Sequence, residues 1–216
     1  MKKKFDVVLF DMDGTTVDTD QMIIETFNQL YDLYKDGKRR PKEEIYPFSG
    51  PLMKETLKTE FPHMDNEFMM NEYRRISFGL YEGNIKPIEG CVETLNILKE
   101  NGVRLGIVTN KSKLTAYMTI DLVNYHNLFE VMITCDDVSK SKPDKEGIIK
   151  ALDLMNYSNK DRVLYVGDNV IDDISAKNAG VKSAIIYFGP RHIPNDLKPD
   201  IKLFKFKDLL KEIFYE

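Results

Sequence analysis

Asp11 and Asp13 stand one residue apart at the end of an apolar run, in the segment FDVVLFDMDGTTVD over 5–18. Two carboxylates held that close repel each other unless a cation or a proton compensates them. The pattern points to metal-assisted chemistry with a carboxylate nucleophile; the plain alternative is a strand followed by an Asp/Gly turn. Three further pieces bear on the choice: Thr109-Asn110, Lys142-Pro143, and the run Gly167-Asp168-Asn169-Val170-Ile171-Asp172-Asp173. Each alone has a structural explanation. Ser112 could make Thr109-Asn110 the approach to a helix cap. Pro143 could make Lys142 an ordinary loop residue, and Gly-Asp-Asn is common in turns.

The elements that carry these pieces decide between the readings. Phe5, Val7, Val8, Leu9 and Phe10 form the continuous apolar run of a strand buried on both faces. From residue 19 to about 83 the pattern is helical, with Met22, Ile23, Phe27, Leu30, Tyr31 and Tyr34 forming one apolar stripe. Asp36-Gly37-Lys38 ends that helix. Prolines 41, 47, 51 and 62 cut the remainder into short pieces, with helices near 52–60 and 65–81 and no strand. Beyond residue 85, helices at 90–101, 112–124, 144–155, 172–180 and 207–214 alternate with strands at 104–109, 131–135, 162–166, 183–187 and 201–204. Such alternation predicts an α/β fold, a doubly wound, Rossmann-like parallel sheet. The helical segment after the first strand interrupts that sheet and is expected as a small all-helical cap over its carboxyl edge. The expected division is a core of 1–17 and 85–216 with a cap of 18–84.

In a parallel sheet the strand ends converge where open α/β folds bind ligands. At least three carboxylates, a hydroxyl and an ammonium then share one crevice, which is reasonable only around a cation and an anionic ligand. Phosphoryl transfer needs this set: a nucleophile, a metal, and cationic or hydrogen-bonding groups on the other phosphate oxygens. An aspartate can attack phosphorus and form an acyl-phosphate that water later cleaves. Mg²⁺ suits a site of carboxylates, waters and phosphate oxygens. His63, His126 and His192 share no spacing, so no softer metal competes.

D-x-D-G-T, a strand ending in T-N, K-P and G-D-x-x-x-D, in that order, resemble the four motifs of the haloacid dehalogenase-like phosphatase superfamily. The resemblance implies Asp11 as nucleophile and Asp13 as general acid and base, its backbone carbonyl helping to bind Mg²⁺. It implies Thr109 and Asn110 as phosphate-binding residues, and Lys142 as the group steadying both nucleophile and phosphoryl. Asp168 would hold the metal directly and Asp172 would ligate or support it, with Asp173 open as the alternative partner. The second aspartate favours phosphatase or phosphomutase over dehalogenase. The cap resembles that of the branch containing phosphoglycolate phosphatases, bacterial pyrophosphatases and β-phosphoglucomutases. Its segment 50–57, GPLMKETL, is similar to the stretch typical of the first two, with Met53 where leucine is usual. Lys54 is the nearest basic residue there, so a mutase is the second reading and a non-catalytic binding module the third. Gly50, Pro51 and Lys54 are the candidate specificity residues. Lys54, Arg74 and Arg75 could contact a second anionic group, as phosphoglycolate or pyrophosphate would require, although the two arginines read more simply as solvated charges. Residues 17–19 and 83–87 are the expected hinges.

Composition narrows the rest. The chain has 216 residues, 42% hydrophobic and 31% charged, with a net charge of −4. That balance supplies no footprint for nucleic acid, and no apolar stretch suits a membrane span. The basic start at 1–4 reads as a solvated strand entrance. Cys91 and Cys135 form no metal or disulfide spacing. The expectation is a cytoplasmic monomer or homodimer acting on a small phosphorylated metabolite.

Overall fold

In the computed structural model, which describes residues 2–215, a six-stranded, wholly parallel sheet is built from β1 (Val7–Phe10), β4 (Arg104–Val108), β5 (Val131–Ile133), β6 (Val163–Gly167), β7 (Lys182–Ile186) and β8 (Ile201–Leu203). The order is β5-β4-β1-β6-β7-β8. β1 is central, in register with β4 on one side (Val8 opposite Leu105) and β6 on the other (Val8 opposite Leu164). Its alternate side chains enter different cores. Val8 and Phe10 pack with α6 (Cys91–Glu100), α7 (Lys113–Val123) and α10 (Leu209–Ile213). Val7 and Leu9 pack with α8 (Glu146–Leu154) and α9 (Val170–Ala179). A strand covered on both faces must be apolar throughout, and all four residues of β1 are buried. The α/β fold and its parallel sheet agree with the sequence expectation, with strand ends shifted by at most about two residues.

Between β1 and β4 the chain forms α1 (Asp20–Tyr34), α2 (Lys42–Ile45), α3 (Met53–Glu60), α4 (Asn66–Phe78) and the single-turn α5 (Tyr81–Asn84). These helices share a separate apolar cluster around Phe27, Leu30, Tyr31, Leu57 and Met69. One carboxylate is buried with them: Glu60 accepts from Tyr31 Oη at 2.8 Å and from Arg40 Nε at 2.8 Å. Those partners offset its desolvation.

The two chain crossings into this insert are not plain hinges. β2 (Val17–Asp18) pairs antiparallel with β3 (Lys86–Pro87). Each strand has two residues, too few for a two-residue period to register, so this ribbon was invisible to pattern reading. Lys4 N–H donates to Ile213 O at 2.7 Å, and Tyr215 N–H donates to Lys2 O at 3.0 Å, so the chain ends are stitched together. Met1 and Glu216, the outer limits of the expected core, lie outside the described residues. Among the described residues, no helix is long and apolar enough to cross a membrane.

Candidate active site

β1 delivers Asp11 to the carboxyl edge of the sheet, where its N–H donates to Val166 O of β6 at 2.9 Å. A tight turn follows: Thr16 and Val17 N–H both donate to Met12 O, at 2.9 and 3.0 Å. Gly14 holds this turn at φ 79°. A Cβ there would lie 2.6 Å from Arg191 Nη1 and 2.8 Å from Asp168 Cγ. Both the dihedral and the crowding require glycine.

Lys142 comes from the loop after β5. Its Nζ lies 2.8 Å from Asp11 Oδ1 and 2.8 Å from Asp172 Oδ1. The group is buried, which works against its charge, but the Asp11 and Asp172 carboxylates outweigh that and hold its pKa well above 10.5. Asp172 sits at the third position of α9 and turns back, its Oδ2 accepting from Asp168 N–H at 3.2 Å and Asn169 N–H at 3.0 Å. Asp173 faces the other way, bonded to Ser183 Oγ at 2.6 Å and Lys177 Nζ at 2.6 Å. The geometry thus brings Asp172, not Asp173, to the cluster.

Oxygens of Asp11, Asp168 and Asp172 lie within 4.8 Å of one another, all buried. Burial pushes the Asp11 carboxyl up to about 6 despite Lys142, and that of Asp168 up to about 8 despite Arg191. Asp11 Oδ1 and Asp168 Oδ2 each have a cation within 2.8 Å but no aligned hydrogen bond. Three crowded carboxylates, two of them with an unfilled acceptor oxygen, fit a hard divalent cation. The Asp13 carboxylate is outside this group. It is bound instead by Lys111 Nζ at 3.0 and 3.1 Å.

Two cations of the site went unrecognised in the sequence. Lys111 directly follows Thr109-Asn110, and that adjacency was an available signal. Arg191, in the loop after β7, lies 2.8 Å from Asp168 Oδ2 and 2.5 Å from Asp20 Oδ1 at the start of α1. No motif marks it.

Thr109 is buried at the end of β4. The Asn110 side chain is fully engaged: Nδ2 donates to Gly50 O at 2.9 Å and Lys142 O at 3.2 Å, and Oδ1 accepts from Lys142 N–H at 3.0 Å. It is a strap between loops, which leaves only its backbone for a phosphate. Asn169 Nδ2 similarly donates to Ser49 O at 3.2 Å. Two core amides therefore hold the insert's 49–50 loop over the site. Beneath that loop is a cavity of about 550 Å³, lined by Asp11, Asp13, Thr109 and Asn110 from the core and by Gly50, Pro51 and Lys54 from the insert. Arg74 also lines it, whereas Arg75 does not and pairs with Glu72 at 2.7 Å. His63, His126 and His192 are exposed, and Cys91 and Cys135 are free thiols.

The comparisons with known proteins agree with this geometry. The haloacid dehalogenase-like hydrolase profile matches residues 8–186. The chain is 33% identical over 209 residues to pyrophosphatase PpaX of Bacillus cereus, covering 96% of this chain and 95% of that one. In fold it is similar to a predicted phosphoglycolate phosphatase from Haemophilus somnus, with TM-score 0.84 and 21% identity over 96% of this chain and 97% of that one. It is also similar to CbbY from Rhodobacter sphaeroides in complex with phosphate, with TM-score 0.79 and 20% identity over 95% and 96% of the two chains. With all four motif pieces gathered at one sheet edge, the chain belongs to the haloacid dehalogenase-like hydrolase family, as an enzyme of its phosphatase group.

Proposed function

We propose that this chain is a Mg²⁺-dependent phosphatase that works through an aspartyl-phosphate on Asp11 and acts on a small phosphorylated metabolite. The observation that carries the reading is the buried contact of Asp11 with Lys142 at 2.8 Å, with Asp168 and Asp172 close by. Lys142 holds one Asp11 oxygen, which fixes the direction of the other for attack on phosphorus. Asp11, Asp168 and the Asp13 carbonyl would hold Mg²⁺, which when bound supplies charge neutralisation for the phosphate oxygens.

Asp13 lines the cavity, where the leaving oxygen would stand. In the free protein it is paired with Lys111. As Asp11 attacks phosphorus and the phosphorus–oxygen bond breaks, Asp13 as general acid gives a proton to the leaving oxygen. In the second half-reaction Asp13 takes a proton from water as the water oxygen attacks phosphorus, releasing phosphate and the Asp11 carboxylate. Thr109 and the Asn110 backbone would bind the remaining phosphate oxygens.

The names of its relatives suggest pyrophosphate or phosphoglycolate as substrates. Asp11→Asn is expected to lower Mg²⁺-dependent phosphate release from an aryl phosphate by at least about 10³-fold. Unchanged turnover in that variant overturns the mechanism. Phosphate release without a bisphosphate activator separates a hydrolase from a mutase.

A further inference from the structure

The cavity is more than a phosphate needs. The 49–50 loop is already tied to the core by Asn110 and Asn169, and α1 by Arg191. Even in this closed arrangement about 550 Å³ remains, within the range of about 300–1,000 Å³ typical of pockets that enclose a drug-sized molecule. Asp11, Asp13, Thr109 and Asn110 form only its floor. Everything above them faces the leaving group.

The insert's side of that upper space carries an apolar, polarisable stretch beside Ser49 and Ser77, while the core side adds Ser112, Thr115, Asp136 and Ser139. Met22 and Ile23 of α1, Phe48 before α3, Met53 of α3, and Met70 and Tyr73 of α4 make up the apolar stretch. A second phosphate, or the carboxylate of phosphoglycolate, would be stripped of water against this wall and needs a cation there. Lys111 is committed to both oxygens of Asp13, and Lys142 to Asp11 and Asp172. Lys54 and Arg74 are exposed, and Glu67, of opposite charge, lines the same cavity. Among the described residues, every buried cation at the site is already paired with a carboxylate in the free protein. Methionines beside aromatic rings instead suit an apolar or aromatic surface, to which they adapt without strain.

Building on the phosphatase reading above, we infer that the preferred substrate is a phosphate monoester whose alcohol carries an apolar or aromatic body of about nucleoside size, rather than pyrophosphate or phosphoglycolate. The insert then selects the substrate through shape and apolar contact, with the charge chemistry confined to the floor.

The test compares ethyl phosphate with 2-phenylethyl phosphate, whose leaving oxygens are alike and whose bodies differ. Pyrophosphate, 2-phosphoglycolate and a nucleoside 5′-monophosphate are run beside them, all with wild-type protein and Mg²⁺. The expected result is a kcat/KM at least about tenfold higher for the phenylethyl than for the ethyl ester, mostly in KM. Pyrophosphate and phosphoglycolate are expected to fall below both the phenylethyl and the nucleoside esters. Met70→Gln, which places an amide in the wall, is expected to lower the phenylethyl-to-ethyl ratio several-fold. A ratio near one, or pyrophosphate or phosphoglycolate as the best substrate, overturns the inference and leaves the phosphatase reading standing. No turnover of any of these compounds overturns the phosphatase reading itself, and the inference with it.

Discussion

The floor and the roof of the cavity are built on opposite principles. At the floor Asp11, and behind it Lys142, Asp168 and Asp172, are buried and held by ion pairs and backbone N–H groups from several strand ends. On the roof, methionine and aromatic side chains of α1, α3 and α4 face that space beside Ser49 and Ser77, with charge restricted to exposed positions. A charged site depends on a few distances and tolerates few residue types. An apolar wall depends on summed shape, which many residue combinations supply. The reaction is therefore written in short motifs, while the choice of substrate is spread over three helices.

The contrast is broken most severely by removing the central cation. Lys142→Met leaves Asp11 and Asp172 buried with no ammonium between them. Loss of one partner from a buried charge network costs about 3–5 kcal/mol, and urea denaturation of the metal-free protein should show a loss of that size. Activity should fall with it, and Asp172→Asn in the same chain should recover part of the stability but not the activity. If Lys142→Met unfolds at the wild-type urea midpoint, the floor is not the tightly coupled network described here.

Metal removal and pH test the floor in another way. Asp11 and Asp168 are raised from 3.8 to about 6 and about 8 by burial. The folded, metal-free protein therefore binds more protons than the unfolded chain, and stability falls as pH rises through these values. The contribution is fully present below 3.8 and is lost as pH passes about 6 and then about 8. In chelator, Tm should drop between pH 6 and pH 8 more for wild type than for Asp168→Asn. Mg²⁺ should raise Tm more at the upper pH, because protons no longer compete for the carboxylates. Equal slopes for the two proteins would show that Asp168 is not the source of the dependence.

Much of this floor was legible in the sequence because its physics is local to strand ends. An apolar run must be β1 or its like, and a carboxylate pair at its exit must meet a cation. The choice between Asp172 and Asp173 stayed open in the sequence, although a signal for it was present. Asn169 followed three residues later by Asp172 is a reciprocal cap, which turns Asp172 back toward the loop. Arg191 was not legible, since it reaches Asp168 and Asp20 from a loop with no period and from far along the chain. The Asn110 strap was read only as phosphate binding, because its partner, the Gly50 carbonyl, is a backbone atom that no side-chain pattern reports. The roof resisted for a different reason. Met22, Phe48 and Met70 look like ordinary core residues in sequence, and only the tertiary arrangement turns them toward a cavity.

Gly50 sits where floor and roof meet, with φ 112°. A Cβ there would lie 2.7 Å from Asn169 Nδ2, the donor that holds the Ser49 carbonyl. Gly50→Ala should cost about 1–2 kcal/mol through the strained dihedral and the displaced amide. The loosened loop should raise KM more than it lowers kcat, since Asp11 and Lys142 are untouched. A fall in kcat alone would mean that the loop serves the chemistry rather than the enclosure.

The smallest expected effect separates two adjacent arginines of α4. Arg75 is exposed and engaged by Glu72, whereas Arg74 lines the cavity. An exposed pair is screened by water and adds little, so Arg75→Ala should leave kcat/KM unchanged for every ester. Arg74→Ala removes the only arginine of the insert on the cavity wall among the described residues. If the roof selects apolar bodies, the loss of Arg74 should change kcat/KM for 2-phenylethyl phosphate by less than about twofold, while lowering it several-fold for phosphoglycolate. A several-fold loss for both would make Arg74 a general phosphate contact, and the division between a charged floor and an apolar roof would fail at that residue.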